Sequence, residues 1–455
     1  MRTFLLFLIL CSAHFSKAQF SFATAVNYPT AISPSDVCIA DFNADGLLDM
    51  VIANDGSSSL SILNGDGGGQ FGPQTVYPLG VYPISLTDGD FNSDGKKDVA
   101  ISLVGDSLMI MMGDGSGAFA SPVKFKGGTW NYKILAIDLN ADGHPDLVTT
   151  NHYSTTLSVL IGDGLGGFSQ PVNFTTGSAP FGLVSADVNK DGRPDLLTAN
   201  YNSEDVSVLL GNGAGSFSSP HNFSILRRPR DLVCGDFDGD GNIDVATTND
   251  SSDNISILSG DGQGQFIFAN EISTGKGNYS IACNDFNKDG HADLVTSNYI
   301  DSNVSVLEGD GTGNFGIAQS FAIMAGDSYK LSSVKIADLN QDGMQDIVAS
   351  AGVNFNMFNV LLNTTIATSL IEWNHLYYDV FVYPNPTSGE FTIEFKNDIL
   401  PSDIQIYTCF GALIQNIQIH ERMTVVDLSY APNGMYLINI VRENEFIASQ
   451  KILKD

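Results

Sequence analysis

A nine-residue pattern, D-x-N-x-D-G-x-x-D, constrains this chain more than any other feature because it occurs seven times. The copies start at Asp41, Asp90, Asp138, Asp187, Asp236, Asp285 and Asp338. Successive starts lie 48 to 53 residues apart. A fixed period of this length is typical of a protein that repeats one small structural unit in an array or a ring.

The oxygen atoms of the pattern suit calcium, which takes roughly six to eight oxygen ligands from carboxylates, amides, backbone carbonyls and water. The side chains at places 1, 3, 5 and 9 offer oxygens, place 7 offers its carbonyl, and glycine at place 6 permits a sharp turn. Places 1, 5 and 9 are Asp in every copy, and place 3 is Asn except for Asp238 in the fifth copy. The sequence therefore predicts up to seven Ca²⁺ sites.

The predicted calcium ligands follow the order of places 1, 3, 5, 7 and 9 in each loop. They are Asp41, Asn43, Asp45, Leu47 and Asp49; Asp90, Asn92, Asp94, Lys96 and Asp98; Asp138, Asn140, Asp142, His144 and Asp146; Asp187, Asn189, Asp191, Arg193 and Asp195; Asp236, Asp238, Asp240, Asn242 and Asp244; Asp285, Asn287, Asp289, His291 and Asp293; and Asp338, Asn340, Asp342, Met344 and Asp346. Place 7 varies freely, as expected if only its backbone carbonyl is used.

Two other interpretations of the pattern are weaker. Solvated turns also favour Asp, Asn and Gly, but seven copies with four fixed positions favour a metal. An EF-hand needs Glu at place 12 and flanking helices. Place 12 is Ile52 in the first loop, and the flanking residues look like strands.

The chain is strongly acidic, with 51 Asp and Glu against 21 Lys and Arg and a formal charge of −30. Seven calcium ions would bring the charge of −30 to −16, so much of the acidity belongs to the predicted metal loops. Nucleic-acid binding is not expected, because phosphate contacts need clustered Lys and Arg. We expect unbridged thiols at the cysteines beyond the N-terminal segment, since they show no disulfide spacing and no CxxC pair. These are Cys38, Cys234, Cys283 and Cys409.

Further landmarks of β-structure recur in each repeat. A GDGxGxF run follows each of the first six loop starts by about 25 residues, with Asn212 in place of Asp in the fourth. Asp-Gly and Asn-Gly favour hairpin turns rather than a second metal site, and we expect the Phe to be buried between repeats. Short apolar runs, such as residues 133–137, 146–150, 157–161 and 171–174, predict four strands per repeat. Four short strands per ~49 residues predict one β-propeller blade per repeat.

The seventh repeat is incomplete in sequence order. It stops after its third predicted strand, at residues 359–363, and lacks the GDGxGxF run. Residues 23–28 resemble a fourth strand. We therefore expect the N-terminal segment to complete the seventh blade and close the ring, which would remove exposed sheet edges.

With these motifs, residues 19–365 resemble the FG-GAP/VCBS-like repeats of calcium-binding seven-bladed β-propellers, as in integrin α-chain heads and many secreted bacterial proteins. The resemblance covers all seven repeats. It implies that each Asp/Asn set is one calcium site. It also implies that the metal loops join the first two strands of a blade, on the face opposite the usual ligand face.

Residues 379–455 have no Asp loops and contain the alternating runs of a small β-sandwich. They resemble the C-terminal sorting domain of the type IX secretion system of Bacteroidota. The matching pieces are YPNPTSG at 383–389, DLS at 427–429, NGMY at 433–436 and KILK at 451–454. The resemblance implies export by the type IX machinery, removal of this domain, and release or surface attachment. An unrelated adhesion-type sandwich is the alternative.

The N-terminus resembles a secretory signal. Arg2 precedes the apolar run 4–10, and Ser16-Lys17-Ala18 is a small-x-small cleavage site. Leu10 argues against a lipoprotein signal at Cys11. No other stretch is long and apolar enough to span a bilayer. The predicted organisation is a signal peptide (1–18), a seven-bladed propeller (19–365), a linker (366–378) and a small β-sandwich (379–455), all-β overall and secreted or on the outer cell surface.

The predicted ligand face lies where the repeats differ. Six residues before the loop starts stand Ser35, Ile84, Tyr132, Phe181, Arg230, Tyr279 and Ser332. If the blades superpose, these residues ring one mouth of the channel, opposite the calcium loops. Aromatic and Arg residues are common binding anchors. The predicted ligand residues are therefore Trp130, Tyr132, Phe181, Arg228, Arg230 and Tyr279, for a glycan or an acidic protein segment. Arg227 lies beside them, and ordinary packing at the channel mouth is the alternative.

Catalytic signatures such as GxSxG and HExxH are missing from the sequence, and the paired carboxylates are assigned to calcium. We therefore expect no catalytic residue and no cofactor besides Ca²⁺. The predicted function is a secreted or surface binding and adhesion module. A polysaccharide lyase or hydrolase on a propeller scaffold and a purely structural spacer are the alternatives, because a fold does not determine its function.

Overall fold

The computed structural model describes most of the chain. The described residues are 20–225, 227–250, 252–323, 331–352, 355–365, 380–384, 387–395, 403–408, 413–442 and 445–454. The predicted signal peptide and linker lie outside these residues. The chain divides into two compact units, Met1–Ser369 and Leu370–Asp455.

Among its described residues, the first unit contains seven four-stranded antiparallel sheets, here called blades one to seven. Their strands are β2 (Pro34–Ala40), β3 (Asp49–Asn54), β4 (Ser59–Leu63) and β5 (Thr75–Pro78) in blade one; β6 (Pro83–Gly89), β7 (Asp98–Leu103), β8 (Ser107–Met111) and β9 (Val123–Lys126) in blade two; β10 (Asn131–Ile137), β11 (Asp146–Asn151), β12 (Thr156–Leu160) and β13 (Val172–Thr175) in blade three; and β14 (Pro180–Ala186), β15 (Asp195–Asn200), β16 (Asp205–Leu209) and β17 (His221–Ser224) in blade four.

Blades five to seven continue the series. Their strands are β18 (Pro229–Gly235), β19 (Asp244–Asn249), β20 (Asn254–Gly260) and β21 (Phe266–Ser273) in blade five; β22 (Asn278–Asn284), β23 (Asp293–Asn298), β24 (Asn303–Leu307) and β25 (Gln319–Ala322) in blade six; and β26 (Leu331–Ala337), β27 (Asp346–Ala351), β28 (Met357–Leu361) and the N-terminal β1 (Val26–Pro29) in blade seven. The predicted strands agree with these to within two residues at each end, except that the predicted fourth strand of blade seven, 23–28, starts three residues before β1. The one helical turn among the described residues is a short 3-10 helix, Asp55–Ser57.

The blades form a closed ring. The first strand of each blade contacts the first strand of the next, and β26 of blade seven contacts β2 of blade one. Seven apolar clusters fill the seven interfaces between neighbouring blades. The second strand of every blade is therefore buried along its whole length. The prediction of an all-β propeller is confirmed.

The N-terminal segment completes blade seven, as predicted. Strand β1 pairs antiparallel with β28, with Val26 opposite Val360. The Phe22 ring meets Phe286 edge-on at 6.2 Å, in the role that a turn Phe has in the other blades. The side-chain amide of Asn363 donates to the Phe286 carbonyl at 2.9 Å. The N-terminal segment and Asn363 therefore replace the missing turn.

The second unit contains two sheets around one apolar cluster, as a β-sandwich does. The first sheet has the order β29 (Val380–Tyr383), β30 (Glu390–Phe395), β33 (Met423–Asp427), and the second has β32 (Leu413–Gln418), β31 (Asp403–Thr408), β34 (Gly434–Arg442), β35 (Glu445–Lys454). The predicted small sandwich is confirmed. The sequence patterns missed β29 and most of β35. Among the described residues of both units, no helix is long and apolar enough to cross a membrane.

Candidate functional site

Each Asp loop connects the first strand of a blade to the second, and its place 9 is the first residue of the second strand. Place 4 of every loop has positive φ, as at Ala44 with 60°, and the place-6 glycine does too, as at Gly46 with 84°. Glycine adopts this backbone conformation without the steric cost of a Cβ atom. All seven loops therefore share one sharply turned backbone.

The side chains at places 1 and 5 turn back onto the loop itself. In the first loop, the peptide N–H of Gly46 donates to Asp41 Oδ2 at 2.9 Å. The N–H of Leu47 donates to Asp45 Oδ1 at 2.8 Å. The other six loops repeat both bonds. These bonds fix the carboxylates at places 1 and 5 against the backbone of each loop.

The fifth loop differs because Asp238 stands where the others have Asn. One carboxylate oxygen from each of Asp236, Asp238 and Asp244 lies within 4.8 Å of the other two. Elsewhere the place-3 amide donates to the place-5 carboxylate, as from Asn43 Nδ2 to Asp45 Oδ2 at 2.9 Å. The donor set of each loop consists of hard oxygens, the ligand type that calcium prefers, and in the fifth loop three of them lie at short range.

The place-9 aspartates are fully buried and tie two parts of their blade together. Asp49 Oδ2 accepts from the Phe42 N–H at 3.0 Å, and Asp49 Oδ1 accepts from the Gly65 N–H at 2.9 Å. A carboxylate has about four lone-pair sites, so these bonds leave capacity for a metal. Gly65 begins the GDGxGxF turn, so place 9 links the metal loop to that turn.

Burial raises the pKa of every place-9 aspartate, and the carboxylates at places 1 and 5, or at places 3 and 5 in the fifth loop, add to this. Donation from two backbone N–H groups opposes the rise but does not cancel it. The pKa is raised to about 6 at Asp195 and Asp346 and to about 8 at Asp293. It is also raised at Asp49, Asp98, Asp146 and Asp244. A metal cation at the loop would favour the ionised form of these groups.

The GDGxGxF turns are structural, as predicted. Asp66 Oδ1 accepts from the N–H groups of Gly68 and Gln70, at 2.8 and 3.0 Å. The turn also reaches the preceding blade: the Gly117 N–H donates to the Phe42 carbonyl at 3.1 Å. Phe119 packs on Phe42, with ring centroids 5.7 Å apart. The Asp loops therefore form part of the contacts between neighbouring blades.

The seven predicted face residues come together. Ser35, Ile84, Tyr132, Phe181, Arg230, Tyr279 and Ser332 all line one cavity of about 250 Å³. A β-bulge at this point in every first strand explains the arrangement. Bulges re-aim side chains, so the next residue of each strand lines the cavity as well. These are Asp36, Ser85, Lys133, Gly182, Asp231, Ser280 and Ser333.

The cavity and the metal loops lie at opposite ends of the first strands. In blade one, Ser35 lies near the start of β2, whereas Asp41 follows its end. A seven-residue strand is about 20 Å long. The cavity mouth is therefore separated from the metal loops by the length of a blade.

Blades three to six form an aromatic wall around Arg230. The guanidinium carbon lies 3.5 Å from the ring centroid of Tyr279 and 4.7 Å from that of Phe181. Arg230 Nη2 donates to the Tyr132 hydroxyl at 3.3 Å, and the Tyr132 and Tyr279 hydroxyls are also 3.3 Å apart. Asp250 is 4.0 Å from the guanidinium. Arg230 is thus an integral part of this wall.

The other predicted face residues lie outside the cavity lining. Trp130 is 44% exposed and meets Tyr153 edge-on at 5.0 Å. The Arg228 guanidinium lies 5.5 Å from the Tyr201 ring centroid. Arg227 pairs with Glu271 at 3.1 Å. The structure therefore gives these three residues different surroundings from those of Arg230.

Sequence reasoning missed the charged floor of the cavity. The Asp36 side chain is 3% exposed, with Lys133 Nζ at 3.6 Å and Lys335 Nζ at 3.9 Å. Ser85 and Ser333 donate their hydroxyls to the Asp36 carboxylate at 2.6 and 2.9 Å. Burial alone would raise the pKa of Asp36, but the two ammonium groups and two hydroxyls outweigh it and hold the pKa well below its usual range.

A second set of missed residues follows the Asn that ends the second strand in several blades. His152, Tyr201, Asp250 and Tyr299 occupy this place in blades three to six and contact the aromatic wall or its arginines. A comparison of equivalent positions in the repeats would have identified these residues, as it identified the seven cavity residues six places before the loop starts. The described cysteines, Cys38, Cys234 and Cys283, are free thiols, as predicted.

The sequence matches two known families. The FG-GAP-like repeat family matches six times, over residues 41–101, 104–149, 138–198, 187–247, 236–296 and 285–349. The secretion system C-terminal sorting domain matches residues 381–455. The curated protein sequences contain no match to the chain.

Solved structures share the fold at low identity. BBS1N in complex with ARL6DN, soaked with mercury, is 13% identical and has a TM-score of 0.55, covering 75% of this chain and 96% of its own. The same complex soaked with lead is 11% identical with a TM-score of 0.56, covering 76% and 98%. A structure of an Agrocybe aegerita lectin recognising non-reducing terminal N-acetylglucosamine is 17% identical with a TM-score of 0.49, covering 66% and 90%.

Proposed function

Because the chain belongs to the FG-GAP-like repeat family and ends in a type IX sorting domain that directs it to the cell surface or the medium, we propose that it is a calcium-binding adhesion module. Its ligand is a glycan or a protein, bound at the mouth of the central cavity without turnover. Calcium holds the blades in register, and the face at the other end of the first strands makes the contact.

The observation that carries the binding proposal is the asymmetry of the cavity mouth. At the ring of residues six places before the loop starts, blades seven, one and two contribute Ser332, Ser35 and Ile84, whereas blades three to six contribute the aromatic wall. The small residues leave open space opposite the wall. Small-molecule sites combine such apolar walls with a few fixed polar groups in roughly 300–1,000 Å³. The cavity of about 250 Å³ therefore suits one small unit of a larger ligand.

The calcium proposal rests on the donor set and on where the loops sit. Each loop offers three or four carboxylates, which repel one another without a cation. The same loops also contact the next blade, as where Phe42 of the first loop packs on Phe119 of blade two. A ligand that binds only the folded state stabilises it, so calcium would stabilise the ring as a whole.

A binding screen of the mature protein against glycans and surface proteins, with and without calcium, tests the function. We expect the double variant Tyr132→Ala/Arg230→Ala to lose binding while it stays folded and calcium-loaded. The matched control is Leu165→Ala/Lys190→Ala, exposed residues on the Asp-loop end of blades three and four that are not among the predicted ligands, and it should bind as the wild type does. Retained binding in the first variant would place the site elsewhere.

The non-catalytic part of the proposal has its own test. The same glycans are incubated with the protein, and their products are separated by mass. We expect the glycans to be recovered intact. A new reducing end or an unsaturated product would instead assign the protein to the polysaccharide-active enzymes.

A further inference from the structure

A second cavity, of about 190 Å³, opens between blades three and four. Its lining residues are His152, Tyr153, Ser154, Thr155, Ser178, Ala179 and Asn202. They come from the loop between the second and third strands of blade three and from the two loops of blade four that lie beside it. This cleft is on the same end of the blades as the central cavity.

The backbone of the cleft is fixed before any ligand arrives. The Ala179 N–H donates across the blade boundary to the Ser154 carbonyl at 2.9 Å. The Asn202 N–H donates to the Ser178 carbonyl at 3.1 Å. Ala179 has φ of +58°, a conformation that non-glycine residues rarely adopt. A preformed cleft loses little conformational entropy on binding.

Two large aromatic side chains stand at the cleft without being buried by the fold. Tyr153 is 69% exposed, and Trp130, which meets it edge-on at 5.0 Å, is 44% exposed. Tyr and Trp rings combine a large apolar face with a polar group, and such residues are enriched at interfaces. The cleft beside them offers hydroxyl and amide side chains from Thr155, Ser178 and Asn202. Apolar faces next to hydroxyl partners match a pyranose ring, which has C–H faces and a hydroxyl edge.

The cleft connects to the central cavity through one ring. His152 lines the cleft, and its ring lies 3.9 Å from Phe181 and 5.6 Å from Tyr132, both in the cavity wall. Aromatic surface therefore runs from the cavity past His152 to Tyr153 and Trp130. Burial, with Arg230 nearby, lowers the pKa of His152 to about 4. The cleft lining is accordingly uncharged at neutral pH, which favours a neutral ligand.

We propose that the cleft between blades three and four, with Tyr153 and Trp130, is a carbohydrate subsite that receives the sugar unit next to the one in the central cavity. The ligand is a neutral oligosaccharide of at least two units. This inference rests on the proposed function, because the first unit occupies the cavity. It adds a binding determinant outside the ring of cavity residues.

The test uses the intrinsic fluorescence of Trp130. The chain has two tryptophans, and Trp373→Phe leaves Trp130 as a single reporter. The probes are homo-oligomers of glucose, galactose, mannose or an N-acetylhexosamine, from one to six units. We expect at least one series to shift the Trp130 emission, with affinity rising from one unit to three.

In that background, Tyr153→Ala should weaken binding of the trimer at least tenfold, about 1.4 kcal/mol, and leave monomer binding unchanged. Ile300→Ala is the matched control, because Ile300 is exposed at the same loop position in blade six. It should leave every affinity unchanged. Equal affinities for Tyr153→Ala and the parent at all lengths would overturn the inference, as would a Trp130 response to peptides and to no oligosaccharide. A different result would contradict the proposed function itself, namely retained binding in the Tyr132→Ala/Arg230→Ala variant.

Discussion

Replacing Asp36 by Asn should destabilise the propeller strongly, although the substitution changes hardly any volume. Asp36 lies on the cavity floor, and the ammonium groups of Lys133 and Lys335 face its carboxylate at 3.6 and 3.9 Å. The variant keeps a polar group for Ser85 and Ser333 but removes the negative charge. Lys133 of blade three and Lys335 of blade seven would then share a poorly hydrated space without the carboxylate that faces both, although Asp231 still attracts Lys133.

The size of the effect follows from how deeply the charges are buried. Removing one partner of a buried ion pair costs about 3–5 kcal/mol. The Lys133 side chain is 20% exposed and that of Lys335 is 35% exposed, so water compensates part of the loss. We therefore expect a loss of about 2–4 kcal/mol in the free energy of unfolding.

A neighbouring pair provides the control. Lys97 Nζ lies only 2.8 Å from Asp88, yet the two side chains are 45% and 26% exposed. Exposed pairs contribute about 0–1 kcal/mol, so Asp88→Asn should cost little despite the shorter distance. If distance rather than burial decided the energy, the order of the two variants would be reversed.

The assay is urea denaturation of the propeller transition at fixed calcium concentration, at pH 7 and at pH 3. The pKa of Asp36 is lower in the folded state than the unfolded value of about 3.9. Its contribution is therefore present above pH 4 and is lost as the pH falls towards the folded pKa. The difference between wild type and Asp36→Asn should shrink at pH 3. A loss below 1 kcal/mol at pH 7 would refute the reasoning.

The other predictions concern calcium, pH, ring closure and export. Excess chelator should lower the melting temperature of the whole propeller by a large amount, and Asp142→Ala in one loop should lower it less; an identical melting curve with chelator would contradict a structural role for calcium. In chelator, burial raises the pKa of Asp293 to about 8, so the folded state binds this proton more tightly than the unfolded state. In chelator, the free energy of unfolding should then fall as the pH rises from 5 to 8, and Asp293→Asn should make this fall shallower. Added calcium should reverse the trend. Asn363→Ala should lower the free energy of unfolding by about 1–3 kcal/mol because the buried Phe286 carbonyl loses its donor. Asn202→Ala, at an exposed position beside the second cavity, should leave the melting temperature unchanged in the same assay. Deleting residues 379–455 should leave a folded propeller retained in the cell envelope, and normal amounts in the medium would contradict the sorting assignment.

The sequence alone determined the repeating unit, the Asp loops and the ring of cavity residues. These depend on local features that recur with a fixed period. Asp and Asn at fixed places, a glycine such as Gly46 at a positive φ, and a constant offset of six residues are all visible in one dimension. The period also implied that residues near the N-terminus complete the last blade.

Only the tertiary structure decided which side chains meet across the ring. Asp36 and Lys133 occupy the same place in their repeats, five residues before a loop start, but Lys335 stands three residues before one, so the period alone does not bring the three charges together. The bulge beside Asp36 and Lys133 appears only in strand pairing. Asn363 acts as a turn residue only because the closed ring brings it to Phe286. The cleft beside Tyr153 likewise exists only between packed blades, because its two walls belong to different repeats.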